Sequence, residues 1–159
     1  FIGIDVVNVK SAADMAEAVA ARSEASDIVV MCSAVADYTP THYSAQKVKK
    51  SDGELSIPLA RTTDILHTLG MKKKEGQMLV GFSMETENLI ENLRKKLSKK
   101  NADIICANTI ADGGDTGFAV DTNQVTLITE TEVITLPLCT KEETADLILS
   151  HIVELQKGK

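Results

Sequence analysis

The segment DIVVMCSAV, residues 27–35, decides the fold. After Asp27 it runs through Ile28, Val29, Val30 and Met31 into small residues, with no polar alternation. A strand with one wet face alternates apolar and polar positions. A continuous apolar run of this length is expected of a central parallel strand buried on both faces. QMLVGFSME (77–85) and ADIICAN (102–108) have the same character. Helical patterns separate them. TTDILHTLGMKK (62–73) predicts a helix with Thr62 or Thr63 as N-cap, and TENLIENLRKKLSKK (86–100) aligns Leu89, Ile90, Leu93 and Leu97 in one stripe.

Before the opening segment, GIDVVNVK (3–10) predicts a strand. SAADMAEAVAARSEA (11–25) predicts a helix, with Ser11 and Asp14 spaced as a capping box. A short strand is expected in ELSIPL (54–59), after an SDG turn (51–53). Toward the end, QVTLITE (124–130) and TEVITLPL (131–138) predict an antiparallel hairpin, and TKEETADLILSHIVELQ (140–156) a closing helix. Alternating strands and helices of this kind give an α/β three-layer sandwich with a mainly parallel sheet and a C-terminal antiparallel hairpin.

At 159 residues the chain suits one domain with a real core. Its 17 basic and 23 acidic residues give a net charge of −6, which argues against general nucleic-acid or anionic-membrane binding. No apolar run approaches the ~20 residues of a membrane span. Cys32, Cys106 and Cys139 are odd in number and far apart, and His42, His67 and His151 are scattered, so a protein-built zinc site is not expected. Cys32 and Cys106 lie in apolar runs and are expected to be buried and inert. Phe1 stands almost directly before an expected strand, a beginning expected of a piece from inside a longer protein.

In open α/β sheets ligands lie beyond the carboxyl ends of the strands. Four places follow: Met31–Asp37, the excursion bearing Lys47, Gly81–Glu85 and Asn108–Asn123. Asp37 follows Ser33, Ala34 and Ala36, small residues that let a ligand approach the backbone. It reads equally as a turn or cap residue and as an acid for a ribose hydroxyl or magnesium. Lys47, Lys49 and Lys50 form either a solvated cluster or a mobile flap that neutralises charge at a transferring phosphoryl group. Lys96 and Lys100, i and i+4, share a helix face beside the apolar stripe. Topology argues against them, because a crossover helix ends near the amino ends of the strands. ADGGDTG (111–117) lacks the glycine order of a Walker or dinucleotide motif, so an oxidoreductase is poorly supported.

Taken in order, AVADYTP (34–40), KVKK (47–50), TTDIL (62–66), VGFSMET (80–86), KKLSKKNADIICAN (95–108) and GFAVDTNQVTLI (117–128) resemble phosphopantothenate–cysteine ligase. The resemblance is to the bacterial type forming the carboxyl-terminal half of a bifunctional coenzyme A biosynthesis flavoprotein. It implies a Rossmann-like sandwich and two chemical steps. 4′-Phosphopantothenate and CTP give an acyl-cytidylate, and cysteine then displaces CMP. It also implies Mg2+ with the triphosphate, and FMN only in the decarboxylase half, which this chain does not include.

Carried over by position, Met31, Cys32, Ser33, Asp37, Thr62, Thr63, Asp64, Ile65, Phe82, Lys96 and Lys100 would bind the nucleotide. Lys47 would be the catalytic flap lysine. Where the family often has NPDI this chain has TTDI, so Thr62 and Thr63 replace an asparagine and a proline. The family's first strand–helix unit should precede Phe1. A single ligase domain lacking that unit is therefore expected over residues 1–159, inactive or nearly so alone. The resemblance further implies a cytoplasmic homodimer, assembling further around the flavoprotein half, with no nucleic-acid or membrane partner. The alternative is a non-catalytic nucleotide-binding or interaction module of the same fold. Metal ligands and the choice of CTP over ATP are not legible in the residues.

Overall fold

The computed structural model describes residues 3–42, 44–47, 55–84, 88–108 and 120–158. In chain order the elements are α1 (Ala12–Ser23), β1 (Ile28–Met31), β2 (Tyr38–Pro40), β3 (Leu59–Arg61), α2 (Ile65–Lys72), β4 (Met78–Met84) and α3 (Leu89–Lys100). They continue with β5 (Ile104–Asn108), β6 (Thr122–Asn123), β7 (Val125–Ile128), β8 (Val133–Thr135), β9 (Cys139–Thr140) and α4 (Lys141–Lys157).

One five-stranded sheet has the order β1-β4-β5-β7-β8. Strands β1, β4 and β5 are parallel, β7 runs against β5, and β8 runs against β7. Only β7 therefore opposes the common direction within this sheet. Side chains alternate across it and build two cores. On one face Leu79, Ile105, Ala107 and Ile128 pack with Ile65 and Leu69 of α2 and Leu93 and Leu97 of α3. On the other, Met78, Val80, Ile104, Cys106, Val125 and Leu127 meet Ile148 and Ile152 of α4. Each fully buried leucine or isoleucine contributes about 1.5–3 kcal/mol, so this double-sided burial in β4, β5 and β7 anchors the three layers.

The continuous apolar runs identify the strands, but among the described residues the opening segment takes an edge place rather than a central one. β1 has β4 as its hydrogen-bonded neighbour, and Val30 is 38% exposed. Residues 3–10 form no strand: they pair with no described strand, and Ile4, Val6 and Val7 are exposed. β-Propensity needs a neighbouring strand to take up its N–H and C=O groups, and this segment meets none among the described residues. The SDG turn and most of the ADGGDTG loop's surroundings, residues 109–119, lie outside the described residues.

The ends of the helices are set by local hydrogen bonds. At α1 the capping box forms as expected: Ser11 Oγ accepts the Asp14 N–H and the Asp14 carboxylate accepts the Ser11 N–H. Thr140 and Glu143 form another before α4. At α2 the expected threonine cap is corrected to Asp64, whose Oδ1 accepts the His67 N–H at 3.0 Å. Asp64 stands three residues before that donor, the reach of an N-cap carboxylate, and Thr62 is engaged elsewhere.

Helices α2 and α3 cross closely at Gly70, where a Cβ would run into the Lys100 carbonyl oxygen. Asn101 Nδ2–H donates to the Gly70 carbonyl at 2.8 Å, and His67 Nδ1 lies 3.0 Å from the Lys99 carbonyl oxygen. Gly81 of β4 likewise admits Leu66 of α2 onto the sheet. These two approaches hold the last turn of α3 beside α2.

Candidate functional site

A cavity of about 460 Å³ opens on the α2–α3 side of the sheet, at the carboxyl ends of β1 and β4. Met31, Ser83 and Ile105 come from the sheet, Ser33 to Tyr38 from the segment after β1, and Arg61 to Leu66 from the entry into α2. Lys96 and Lys100 enter from α3. Of the expected residues, Met31, Ser33, Asp37, Thr62, Thr63, Asp64, Ile65, Phe82, Lys96 and Lys100 line this one cavity.

The chain brings these residues together through its backbone. Thr62 donates twice to the segment after β1, from its N–H to the Asp37 carbonyl (2.9 Å) and from Oγ1 to the Ala36 carbonyl (2.6 Å). That double tie clamps the start of α2 against the strand end carrying Asp37. Both the backbone and the side chain of Thr62 are thus used for anchoring.

Electrostatically the cavity mixes signs. The Lys100 ammonium pairs with the Asp64 carboxylate, and Lys96 Nζ donates to Ser83 Oγ at 2.6 Å. Burial pushes the Asp64 carboxyl up, but the Lys100 ammonium and the His67 N–H outweigh it and hold it below the ordinary aspartate range. The topological objection to Lys96 and Lys100 is therefore corrected. Helical Cα–Cβ bonds tilt toward the helix N-terminus, and a lysine is long enough to carry its charge back from the end of α3 toward the carboxyl ends of the strands. The crossing at Gly70 removes the remaining distance.

Two expected residues stand apart. Lys47 is exposed, lies between β2 and β3, and does not line the cavity. Val48, Lys49 and Lys50 lie outside the described residues, as does Glu85. Cys32 is exposed, which corrects the expectation of a buried thiol. It follows Met31 in the sequence, so strand alternation turns it toward the opposite face. Cys106 is buried as expected: burial pushes its thiol up to about 12, and Cys32 adds in the same direction. Asn123 Nδ2–H donates to Asn108 Oδ1 at 3.1 Å, and neither residue lines the cavity.

Residues that the sequence reading passed over also line the site. Tyr38 and Arg61 face each other across β2 and β3, with the guanidinium carbon 5.9 Å from the ring centroid. Ser83 holds Lys96. Tyr38 sits inside AVADYTP and Arg61 directly precedes TTDIL, but their pairing across the intervening segment has no local signal.

A mainly parallel α/β sheet with helices on both faces, and a cavity beyond its strand ends bordered by a helix start and two lysines, defines a domain of the doubly wound α/β class. The particular family follows from comparison. The chain belongs to the family described as DNA/pantothenate metabolism flavoprotein C-terminal domain, which it matches over residues 2–155. It is 46% identical over 154 residues to the coenzyme A biosynthesis bifunctional protein CoaBC of Bacillus subtilis (strain 168), covering 96% of this chain and 37% of that protein. The chain thus spans little more than a third of this relative.

The crystal structure of the C-terminal domain of a CoaBC superposes with a TM-score of 0.79 at 40% identity, covering 99% of this chain and 69% of the other. A Cab2 mutant H337A in complex with phosphopantothenate-cysteine shares the fold, with a TM-score of 0.68 at 14% identity over 96% of this chain and 52% of that one. Among the described residues no helix is long and apolar enough to cross a membrane.

Proposed function

We propose that this chain carries the nucleotide site of a CTP-dependent phosphopantothenate–cysteine ligase in coenzyme A biosynthesis. The observation that carries this reading is one cavity gathering Asp37, the Asp64-capped start of α2, Lys96 and Lys100 beyond parallel strands. It occurs in a chain 46% identical to CoaBC. The complex of Cab2 with phosphopantothenate-cysteine adds support at the level of the fold.

In the first step a carboxylate oxygen of 4′-phosphopantothenate attacks the α-phosphorus of CTP. The bond to pyrophosphate breaks and a mixed acyl-cytidylate forms. In the second, the cysteine nitrogen attacks the acyl carbon, CMP leaves with the electron pair of the C–O bond, and nitrogen loses a proton. Asp37 and the backbone of Met31–Ser33 receive the nucleoside, with the small Ser33 and Ala36 admitting it closely. Lys96 and Lys100 balance the triphosphate. Lys47, on the segment between β2 and β3, closes over the phosphates and stabilises charge at the transferring phosphorus.

Asp37 is the cavity carboxylate not committed to Lys100, and no group of three or more metal-type side chains occurs among the described residues. That donor set fits Mg2+ arriving with the phosphates and its own water, with at most Asp37 from the protein. The ion would supply charge balance on the triphosphate. FMN belongs in this proposal to a decarboxylase half outside the chain. The proposal also includes a homodimer, assembly with that half and a cytoplasmic setting. It further includes a single ligase domain over residues 1–159.

Calorimetric titration of the folded protein with CTP and Mg2+ tests the reading. Binding is expected and should weaken in Asp37→Asn. Indifference of a folded sample to CTP would overturn it in favour of a non-catalytic module of the same fold.

A further inference from the structure

Arg61 ends β3 directly opposite Tyr38 of β2, its guanidinium carbon 5.9 Å over the tyrosine ring centroid, and both residues line the cavity. The other cavity cations are engaged within the protein: Lys100 is paired with Asp64 and Lys96 bonds to Ser83. Arg61 has no carboxylate within ion-pair distance among the described residues, although Asp37 and Asp64 line the same cavity and the chain carries a net charge of −6. A fixed cation left over beside two acids is suited to an anion that arrives from outside.

The side chain selects the kind of anion. A guanidinium in cation–π contact with a tyrosine ring still carries the planar N–H fork that binds phosphate oxygens in pairs. The platform is held in place: Thr62 is bonded to the Ala36 and Asp37 carbonyls, and Thr41 N–H to the Pro58 carbonyl at 3.0 Å. Arg61 therefore stands at the cavity end of the β2–β3 ladder, opposite the end where the chain leaves for residues 41–58.

We infer that Arg61, oriented by Tyr38, binds the polyphosphate of the nucleotide taken by this cavity. This rests on the nucleotide reading above and adds a residue to it. The ligand class is a nucleoside triphosphate.

The test is calorimetric titration of the protein and its Arg61→Gln and Arg61→Lys variants with cytidine, CTP and inorganic tripolyphosphate. Arg61 is exposed, so both variants should keep the wild-type circular dichroism and melting temperature. Arg61→Gln should weaken CTP and tripolyphosphate about 10- to 100-fold, the range of a lost charged hydrogen-bond pair, and leave cytidine within about twofold. Arg61→Lys should recover part of the loss, since it keeps the charge without the fork. Equal CTP and tripolyphosphate affinity in Arg61→Gln would overturn the inference while leaving the nucleotide reading intact. An equal loss for cytidine would also overturn it. Arg61-dependent binding of tripolyphosphate without binding of CTP would uphold the anion site and sink the nucleotide reading.

Discussion

Replacing Gly70 by alanine sets two effects of known size against each other. In a helix interior, Gly→Ala normally stabilises by about 1 kcal/mol, because glycine loses more backbone freedom on folding. At this crossing the new methyl would meet the Lys100 carbonyl oxygen and carbon, with Asn101 Cβ 3.2 Å away. Backbone cannot swing aside as a side chain does, so α3 must move off α2. Overpacking of this kind costs about 1–3 kcal/mol. Straining the Asn101 Nδ2–H bond to the Gly70 carbonyl adds about 0.5–1.5 kcal/mol. Packing wins, and the net loss is about 1–3 kcal/mol.

For a chain of this size each kcal/mol moves the melting temperature by about 2–4 °C, so calorimetry should find Gly70→Ala about 2–12 °C below wild type. The shift of α3 should also draw Lys100 from Asp64 and weaken CTP binding in the same variant. A neutral or raised melting temperature would mean that helix propensity governs the site, and the close α2–α3 crossing would be refuted.

Three other outcomes follow from the same geometry. Asp64→Asn keeps an oxygen for the His67 N–H and loses the charge facing Lys100. With Asp64 48% exposed the pair is screened, so the cost should stay under about 1 kcal/mol, while Asp64→Ala should lose about 1 kcal/mol more with the cap; equal losses in urea titrations would contradict the capping role. Because the folded Asp64 carboxyl lies below its ordinary 3.8, the pair's contribution is fully present above that value and fades as pH falls through the lowered folded value, so wild type and Asp64→Asn should converge in acid melts. With a thiol reagent at about pH 8, Cys32 should label rapidly and Cys106, buried and raised to about 12, only on unfolding; fast labelling of Cys106 in the native state would contradict the described core.

Several elements were legible in the residues because their cause is local. Uninterrupted apolar runs mark β4 and β5, since a strand covered on both faces has no polar position to alternate with. Ser11 and Asp14 announce the start of α1, and 3.6-residue spacing sets the stripe of α3. Family resemblance, resting on the order of short motifs, pointed to Asp37, Thr62–Ile65 and the α3 lysines. Other facts depend on partners far apart in the chain, and these no local pattern carries. DIVVMCSAV has the composition of a central strand, yet its place at an edge depends on which strands hydrogen-bond to it. Lys96 and Lys100 looked misplaced until the crossing at Gly70 and the tilt of their side chains turned them into the cavity. Arg61 and Tyr38 are an ordinary cation and an ordinary ring until β2 and β3 pair. The sequence by itself determined which segments bury and how helices begin, because burial periodicity and capping act over a few residues. Only the tertiary structure decided what stands beside what, because register and helix crossing are set by contacts between segments distant in the chain.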